Sequence, residues 1–315
     1  MVKLINLYKG FNIKSRHTGS IILIGNFDGL HLGHQKLFTL AKNFKKKYSL
    51  KVGVLTFEPM PKMYFNKSIK NFRISNEKQK IKLLNKFKVD FVIIKKFNKV
   101  FSKTKSIDFI KNIIKKKLKA RFIFVSNNFR FGNKREGDVN QLVEYQNKFD
   151  YKIIKPKPLF VKNKIVSSSL IRNYLQNGKL DIANKLLNRK WSIEGKVEKG
   201  KQLGKKIGFP TANIDIKDYV LACPGVYAVR VKMKNDNKII KGIANLGYRP
   251  TFNGKKILLE VHLFNFSGNL YDKDLSVEFL KFIRKEKKFK NVDQLKKQIK
   301  TDLLVAKKTK WAKNK

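Results

Sequence analysis

The first 190 residues combine two patterns of apolar positions. Short continuous apolar runs have the length of buried strands, and they lie at residues 21–25, 52–57, 91–94 and 122–125. The segments between them carry apolar residues at helical intervals, for example Leu37, Ala41 and Phe44, which share one side of a helix. Strands that alternate with helices predict an α/β domain, in which helices cover both faces of a parallel sheet.

After residue 190 the pattern changes to short apolar runs separated by turn residues. These runs lie at residues 191–197, 226–231, 239–245, 257–264 and 275–283. In the fourth run Leu259, Val261 and Leu263 alternate with other residues, which predicts one buried face. We therefore expect an antiparallel β-barrel or sandwich, followed from residue 291 by a C-terminal helix. The two domains are predicted to span residues 1–186 and 187–315.

The chain is strongly basic. Lysine and arginine number 73 against 22 aspartates and glutamates, a formal net charge of +51 in 315 residues. Only ten of these cations are arginine, and the lysines spread along the whole chain together with many Asn, Ile and Phe. This distribution is typical of codon bias toward A and T rather than of a clustered recognition surface. We expect weak, salt-sensitive polyanion binding and no specific nucleic-acid partner, although a non-enzymatic polyanion binder stays open as an alternative.

Cysteine usage and hydropathy narrow the class of protein further. Cys223 is the sole cysteine, which excludes an intramolecular disulfide framework and a Cys-rich zinc site. No stretch approaches the roughly 18 apolar residues that span a bilayer, and the first eleven residues lack a signal-peptide apolar stretch. We expect a cytoplasmic protein with no membrane partner. The sequence leaves the oligomeric state open.

The segment GNFDGLHLGH, residues 25–34, follows the first predicted strand and leads into a helix. A glycine-rich turn at a helix N-terminus presents free backbone N–H groups to an anion, and here that anion is expected to be a phosphate. His31 and His34 are three residues apart, so they project to one side of the first helical turn and can stabilise charge that develops at phosphorus. A metal-binding pair and two ordinary surface histidines are the alternatives.

A second candidate phosphate site lies before the boundary. Ser167 and Ser168 precede a helical pattern that they can cap, and Arg172, one turn later, can fork onto phosphate oxygens. The alternative is a plain helix cap with a surface arginine.

The third constellation is a basic, glycine-rich stretch over residues 195–213. Gly200, Gly204 and Gly208 lie in a loop that ends in Phe209 and Pro210, as expected of a mobile cover over phosphates. Thr211 and Asn213 then offer two hard oxygens at alternate positions of an extended segment, which suits Mg²⁺ shared with ATP. The alternative is a flexible loop with a proline-terminated turn.

Residues 25–34 resemble the HxGH signature of nucleotidylyltransferases, and in their longer form the N-terminal module of bacterial bifunctional riboflavin kinase/FAD synthetases. The segments LTFEPMP (55–61), NFRFG (128–132) and VSSSLIR (166–172) are similar to further parts of that module. Met60, Ser126, Ser169 and Leu170 depart from its usual residues. The GxxxGxxxGFPTAN spacing of residues 200–213 resembles the riboflavin kinase signature, and the match continues in PGVY (224–227), NLGYRPTF (245–252), LEVHL (259–263) and VEFLKFIR (277–284).

The resemblance implies a Rossmann-like nucleotidylyltransferase domain followed by a riboflavin kinase β-barrel with a C-terminal helix. The barrel would phosphorylate riboflavin to FMN, and the first domain would adenylylate FMN to FAD with release of pyrophosphate. ATP is implied as the co-substrate of both reactions, and Mg²⁺ as the metal. The alternatives are a riboflavin kinase with weakened or lost adenylyltransferase activity, given Ser126, Ser169 and Leu170, and a different nucleotidylyltransferase fused to a barrel.

The resemblance also implies roles for individual residues. Glu260 becomes the general base for the ribityl 5′-hydroxyl, against the alternative of an exposed strand glutamate. The adenylyltransferase ATP site comprises Gly25, Phe27, Asp28, Gly29, His31, His34, Ser167, Ser168 and Arg172. The flavin site of the same domain comprises Phe57, Pro59, Asn128, Phe129 and Arg130. The kinase ATP and flavin site comprises Gly200, Gly204, Gly208, Phe209, Pro210, Thr211, Asn213 and Asn245, with Thr211 and Asn213 on the metal.

Overall fold

A computed structural model describes residues 5–200, 204, 207–217, 219–233, 238–251, 254–309 and 311. The rest of the glycine-rich loop between Gly200 and Ile207, as well as Phe252, therefore lies outside the described residues. The chain forms two compact units. One comprises Met1–Lys70 and Glu77–Ser167, and the other comprises Asn71–Asn76 and Ser168–Lys315. Among the described residues, no helix is long and apolar enough to cross a membrane.

The first unit is built on a six-stranded parallel sheet, which confirms the predicted α/β architecture. Its strands are β1 (Asn6–Tyr8), β2 (Ile21–Ile24), β3 (Val52–Glu58), β4 (Phe91–Lys96), β5 (Phe122–Phe124) and β8 (Lys152–Ile154). Their order across the sheet is β1-β4-β3-β2-β5-β8. The four predicted strands are β2 to β5. The apolar pattern does not predict the two edge strands, because each is only three residues long and partly exposed.

Alternate residues of each strand enter two separate apolar clusters, one on each face of the sheet. Ile21 and Leu23 pack with helix α1 (Leu32–Tyr48) and helix α3 (Glu77–Lys86). Ile22 and Ile24 pack with the other group of helices. That group contains a π-helix over Phe109–Lys117 and helix α6 (Val139–Glu144). Helices therefore cover both faces of the sheet, as predicted.

The remaining elements of the first unit are short. They are α2 (Pro61–Phe65), α4 (Lys99–Ser102), α5 (Ser106–Asp108), the antiparallel pair β6 (Arg130–Phe131) and β7 (Gly137–Asp138), and the hairpin β9 (Phe160–Val161) and β10 (Lys164–Ile165). The apolar spacing between residues 107 and 114 predicts a helix of ordinary pitch. The structure differs there, since the Leu118 N–H donates to the Ile113 carbonyl five residues earlier, at 2.9 Å.

The second unit contains a closed antiparallel barrel, so the barrel and not the sandwich is correct. Its strands are β11 (Ser192–Glu198), β12 (Ala212–Asp215), β13 (Gly225–Met233), β14 (Ile239–Thr251), β15 (Gly254–Leu263) and β16 (Asp274–Lys285), in the order β11-β12-β15-β14-β13-β16. The apolar pattern does not predict β12, because its four residues contain Asn213 and Asp215 among apolar ones. On β15, Leu259 and Val261 are buried whereas Glu260 is half-buried, as the alternation predicts.

The C-terminal helix α9 (Val292–Lys307) is confirmed and packs against the barrel. Its Ala306 lies in an apolar cluster with Ile243 of β14. An ion pair joins α9 to β16, since the Arg284 guanidinium donates to both carboxylate oxygens of Asp302. The helix is therefore attached to the barrel by both apolar and ionic contacts.

Two helices that precede the barrel, α7 (Ser168–Gln176) and α8 (Leu180–Leu187), belong to the second unit, as does the segment Asn71–Asn76. The Asn184 side chain of α8 donates to the Phe279 carbonyl of β16 at 3.1 Å. The Trp191 indole N–H donates to the Ile74 carbonyl at 2.9 Å. The division between the compact units therefore falls before these helices, because Asn184 of α8 makes its buried contact with the barrel.

Candidate active sites

The candidate phosphate turn lies at the point where the strand order of the sheet reverses. From β2 the chain proceeds through β3 and β4 toward one edge, and β5 and β8 continue toward the other. Parallel sheets of this kind bind ligands beyond the carboxyl ends of the strands at such a switch point. Gly25, the first residue after β2, begins the segment that runs to His34.

The backbone of this turn adopts conformations that few side chains accept. Phe27 and Leu30 have left-handed φ angles of 48° and 36°, at the two ends of a short 3₁₀ turn. Each such residue costs of order 1 kcal/mol and persists only where its surroundings hold it. The Phe27 ring is buried against His34 and Phe38, at centroid distances of 5.2 and 5.3 Å. Packing therefore holds the turn in the shape that precedes α1.

The two histidines stack on each other beside the first turn of α1. Their ring centroids are 3.7 Å apart and their planes differ by 21°. Burial lowers the pKa of His34 well below its ordinary value, and the neighbouring His31 lowers that pKa further. The Nδ1 atom of His34 is buried and has no hydrogen-bond partner among the described residues. At neutral pH His34 is therefore a neutral imidazole that keeps hydrogen-bonding capacity for a ligand.

A buried lysine lies under the phosphate turn. The Lys80 ammonium is 3.2 Å from the Thr56 hydroxyl and 3.5 Å from the Asn26 carbonyl oxygen, and both Lys80 and Thr56 are buried. It joins α3 to the ends of β2 and β3. No sequence pattern singles this residue out, because in a chain with 73 basic residues one more lysine carries no signal.

The serines and the arginine of the second constellation lie at the start of α7, which begins at Ser168. Arg172 donates from Nε to the Phe72 carbonyl at 2.8 Å, and its guanidinium lies 3.7 Å from the centroid of the Phe72 ring. The planar face of Arg172 is thus held by an aromatic ring one hundred residues earlier in the chain, which no local pattern could indicate.

An aromatic pocket that is open to solvent lies in the first unit. Of the residues predicted for the flavin, Phe57, Phe129 and Arg130 line it, whereas Pro59 and Asn128 do not. The further aromatic side chains in its wall are Phe65, Phe97, Phe101, Phe109 and Phe131. Two of its walls are stacked pairs, Phe57 with Phe101 and Phe129 with Phe131.

The two predicted flavin residues outside the pocket wall have other surroundings. Pro59 follows β3 through a cis peptide bond. Asn128 is exposed, and its side-chain oxygen accepts a hydrogen bond from the Ser126 hydroxyl at 2.9 Å. The sequence does not single out the five further phenylalanines of the wall. The chain contains 25 phenylalanines, and codon bias explains that high number equally well.

In the barrel, three polar residues lie side by side on adjacent strands. Glu260 of β15 pairs directly with Asn213 of β12 on one side and with Asn245 of β14 on the other. Directly opposed residues of an antiparallel sheet share a face, and the buried residues Leu259 and Val261 occupy the other face. The barrel thus collects the predicted base and two predicted ligand residues in one row.

The glycine-rich loop packs closely at two of its glycines, and one of them, Gly200, lies against Asn213 of this row. A Cβ on Gly200 would overlap the Asn213 carboxamide, and a Cβ on Gly204 would overlap the Phe209 carbonyl oxygen. The Phe209 N–H donates to the Gly204 carbonyl at 2.8 Å. Gly208 has a left-handed φ of 88°, and Pro210 and Thr211 then lead into β12. Close packing against the Phe209 backbone therefore requires glycine at position 204, whereas a side chain at position 200 would displace the Asn213 carboxamide.

The chain resembles known proteins over most of its length. Residues 13–170 match the family model of FAD synthetase, and residues 187–310 match that of riboflavin kinase. A bifunctional riboflavin kinase/FMN adenylyltransferase of Buchnera aphidicola subsp. Schizaphis graminum is 41% identical over 94% of this chain and 96% of the relative. The protein of that name from Escherichia coli K12 is 35% identical over 91% of this chain and 92% of its own. A crystal structure described as a macrolide-efflux protein from Streptococcus pneumoniae is 28% identical, with a TM-score of 0.84 over 98% of this chain and 100% of that chain.

Proposed function

The chain belongs to the family of bifunctional riboflavin kinase/FMN adenylyltransferases, and from this premise we propose which residues carry each reaction. It is a transferase that phosphorylates riboflavin with ATP and adenylylates the resulting FMN to FAD. We assign adenylyl transfer to residues 1–186 and the kinase to residues 187–315. The matched ranges, 13–170 and 187–310, support this division. A cytoplasmic location and the lack of a specific nucleic-acid partner stay predictions.

In the kinase, Glu260 takes the proton from the ribityl 5′-hydroxyl of riboflavin while that oxygen attacks the γ-phosphorus of ATP and ADP leaves. The single observation that supports this most is the strand register, because Asn213 and Asn245 flank Glu260 on both sides. A general base must be fixed within hydrogen-bond reach of its proton, and strands of a closed barrel hold side chains rigidly. The glycine-rich loop that ends at Phe209 covers the phosphates.

Mg²⁺ fits Asn213 of this row together with Thr211, two residues earlier. Thr211 and Asn213 offer a hydroxyl and a carboxamide oxygen, which are hard donors of the kind that Mg²⁺ prefers. The side chain of Asn213 is held against the backbone of Gly200, where a Cβ would fill the space. When bound, Mg²⁺ neutralises charge on the transferring phosphates.

In adenylyl transfer, the FMN phosphate oxygen attacks the α-phosphorus of ATP, and the bond to the bridging oxygen breaks to release pyrophosphate. The stacked pair of His31 and His34 stabilises the charge on the α-phosphate, and Ser167, Ser168 and Arg172 hold the pyrophosphate. The turn formed by residues 25–29 binds ATP. The aromatic pocket around Phe57 and Phe129 suits a planar flavin ring, and Arg130 at its wall suits the phosphate.

The assignment of the two reactions to separate sites is tested by assaying two variants for both reactions. Each protein receives riboflavin, ATP and Mg²⁺, or FMN, ATP and Mg²⁺, and the flavins are separated by chromatography. His31→Ala is expected to form FMN but no FAD, and Glu260→Ala is expected to convert only supplied FMN. Loss of both activities in either variant would contradict two separate sites. Wild-type protein that makes FMN but leaves it unadenylylated would favour the kinase with a lost adenylyltransferase.

A further inference from the structure

His262 lies on β15, two residues after Glu260, and is half-buried. Its Nδ1 is 2.8 Å from the Pro210 carbonyl oxygen. Because a carbonyl oxygen only accepts hydrogen bonds, the Nδ1 atom must carry a proton in this contact. The ring also meets the Phe209 ring edge to face, at a centroid distance of 5.9 Å and an angle of 82°. One imidazole therefore touches two consecutive residues at the end of the glycine-rich loop.

This contact begins where the backbone ladder ends. The backbone pairing of β12 with β15 runs from Asp215 to Ala212, which is paired with Val261. Upstream of Ala212, the His262 side chain attaches Pro210 to β15. On the loop side, the Phe209 N–H donates a hydrogen bond to the Gly204 carbonyl. The Phe209–Pro210 pair is thus the joint between the loop and the strand, and Thr211 lies immediately after it.

We propose that His262 is a positioning residue of the riboflavin kinase reaction. Its Nδ1–H holds the Pro210 carbonyl, so that Thr211, which lies beyond the backbone ladder, stays aligned with Asn213 and Glu260 when the loop covers ATP. This inference rests on the proposed roles of those three residues. His262 has no part in the chemical step, because its bond is made to the backbone of the loop and not to a reacting group.

The test compares two replacements that differ in the hydrogen-bonding group. In His262→Asn the side-chain amide N–H can reach the same carbonyl, whereas His262→Leu has no donor. Steady-state kinetics of FMN formation give KM for ATP and kcat. Loss of one positioning hydrogen bond is expected to raise KM for ATP about tenfold in His262→Leu. His262→Asn is expected to recover most of that loss, and kcat is expected to change by less than about threefold in both variants.

Two controls separate this inference from general damage and from the site assignment. Adenylylation of supplied FMN and the tryptophan fluorescence of the second unit report folding, and both are expected to match the wild type. If His262→Leu keeps the wild-type KM for ATP, or if His262→Asn is as impaired as His262→Leu, the inference is wrong. If Glu260→Gln retains full kinase activity, the proposed site itself is wrong, whatever the His262 variants do. If His262→Leu fails to fold, KM for ATP is compared between His262→Asn and His262→Asp instead. The aspartate carboxylate repels the Pro210 carbonyl, so His262→Asp takes the place of the variant without a donor.

Discussion

The ion pair between the barrel and its C-terminal helix makes a quantitative prediction. Arg284 donates to Asp302 through Nε at 2.9 and 3.0 Å and through Nη2 at 2.7 Å, and Gln298 donates to the same carboxylate at 2.9 Å. The side chains are only 17% and 4% exposed. Removing one charge of a buried pair costs about 3–5 kcal/mol, because the other charge stays buried without compensation. Asp302→Asn keeps one acceptor oxygen, so we expect a loss near the lower limit, about 3 kcal/mol.

Tryptophan fluorescence measures this loss in the second unit alone. Both tryptophans of the chain, Trp191 and Trp311, belong to that unit, and Trp191 is buried against Phe279. If the free energy of unfolding falls by about 2 kcal/mol per molar urea, the urea concentration at the unfolding midpoint should be about 1.5 M lower in Asp302→Asn than in the wild type. The matched control is Asp293→Asn in the exposed first turn of α9, where the expected loss is at most about 0.5 kcal/mol.

A double variant that lacks both charges of the ion pair tests the same cause in a second way. Replacing both partners, Arg284→Met with Asp302→Leu, leaves no buried charge and should recover most of the stability that Asp302→Asn loses. A midpoint shift in Asp302→Asn no larger than that of Asp293→Asn would show that the ion pair contributes no more than a surface charge. A double variant as unstable as the single one would show that an uncompensated buried charge is not the cause of the loss.

Three further predictions concern the two sites. The pKa of His34 is lowered by burial, so below pH 6.5 the unfolded state binds a proton that the folded state does not bind, and the stability of the first unit should fall. Calorimetry between about pH 5 and 8 should show a smaller pH dependence in His34→Asn, in which only the contribution of His17 is left, because burial lowers the pKa of His17 as well. Phe129→Ala removes from the pocket wall a ring that can stack on the flavin, an interaction worth about 1 kcal/mol, and should raise KM for FMN roughly fivefold in adenylyl transfer, with KM for riboflavin in the kinase assay unchanged. Gly204→Ala would force a Cβ against the Phe209 carbonyl oxygen and should lower the kinase kcat/KM for ATP at least about tenfold, whereas unaltered kinetics would show that the loop tolerates the side chain.

Much of the fold follows from local patterns along the chain. Continuous apolar runs predict the central strands, because a strand between two helical layers is buried on both faces. Alternation around Glu260 predicts its half-buried position on the barrel, since successive side chains of a strand point to opposite faces. The spacing of Gly200 and Gly204 can be read from the sequence, and close packing explains it.

Other features depend on which distant segments meet. The aromatic pocket collects phenylalanines from the ends of several elements, and nothing in the spacing of Phe65, Phe101 and Phe131 relates them. The burial of Lys80 follows from the packing of α3 beneath two strand ends, which places one lysine among many beside the Asn26 carbonyl of the phosphate turn. Local sequence is enough to predict the types and order of most elements and the two glycine-rich motifs at residues 25–34 and 200–213, because these depend on neighbours in the chain. Long-range contacts, which no local pattern encodes, fix the wall of the pocket, the burial of Lys80 and the unit to which residues 71–76 belong.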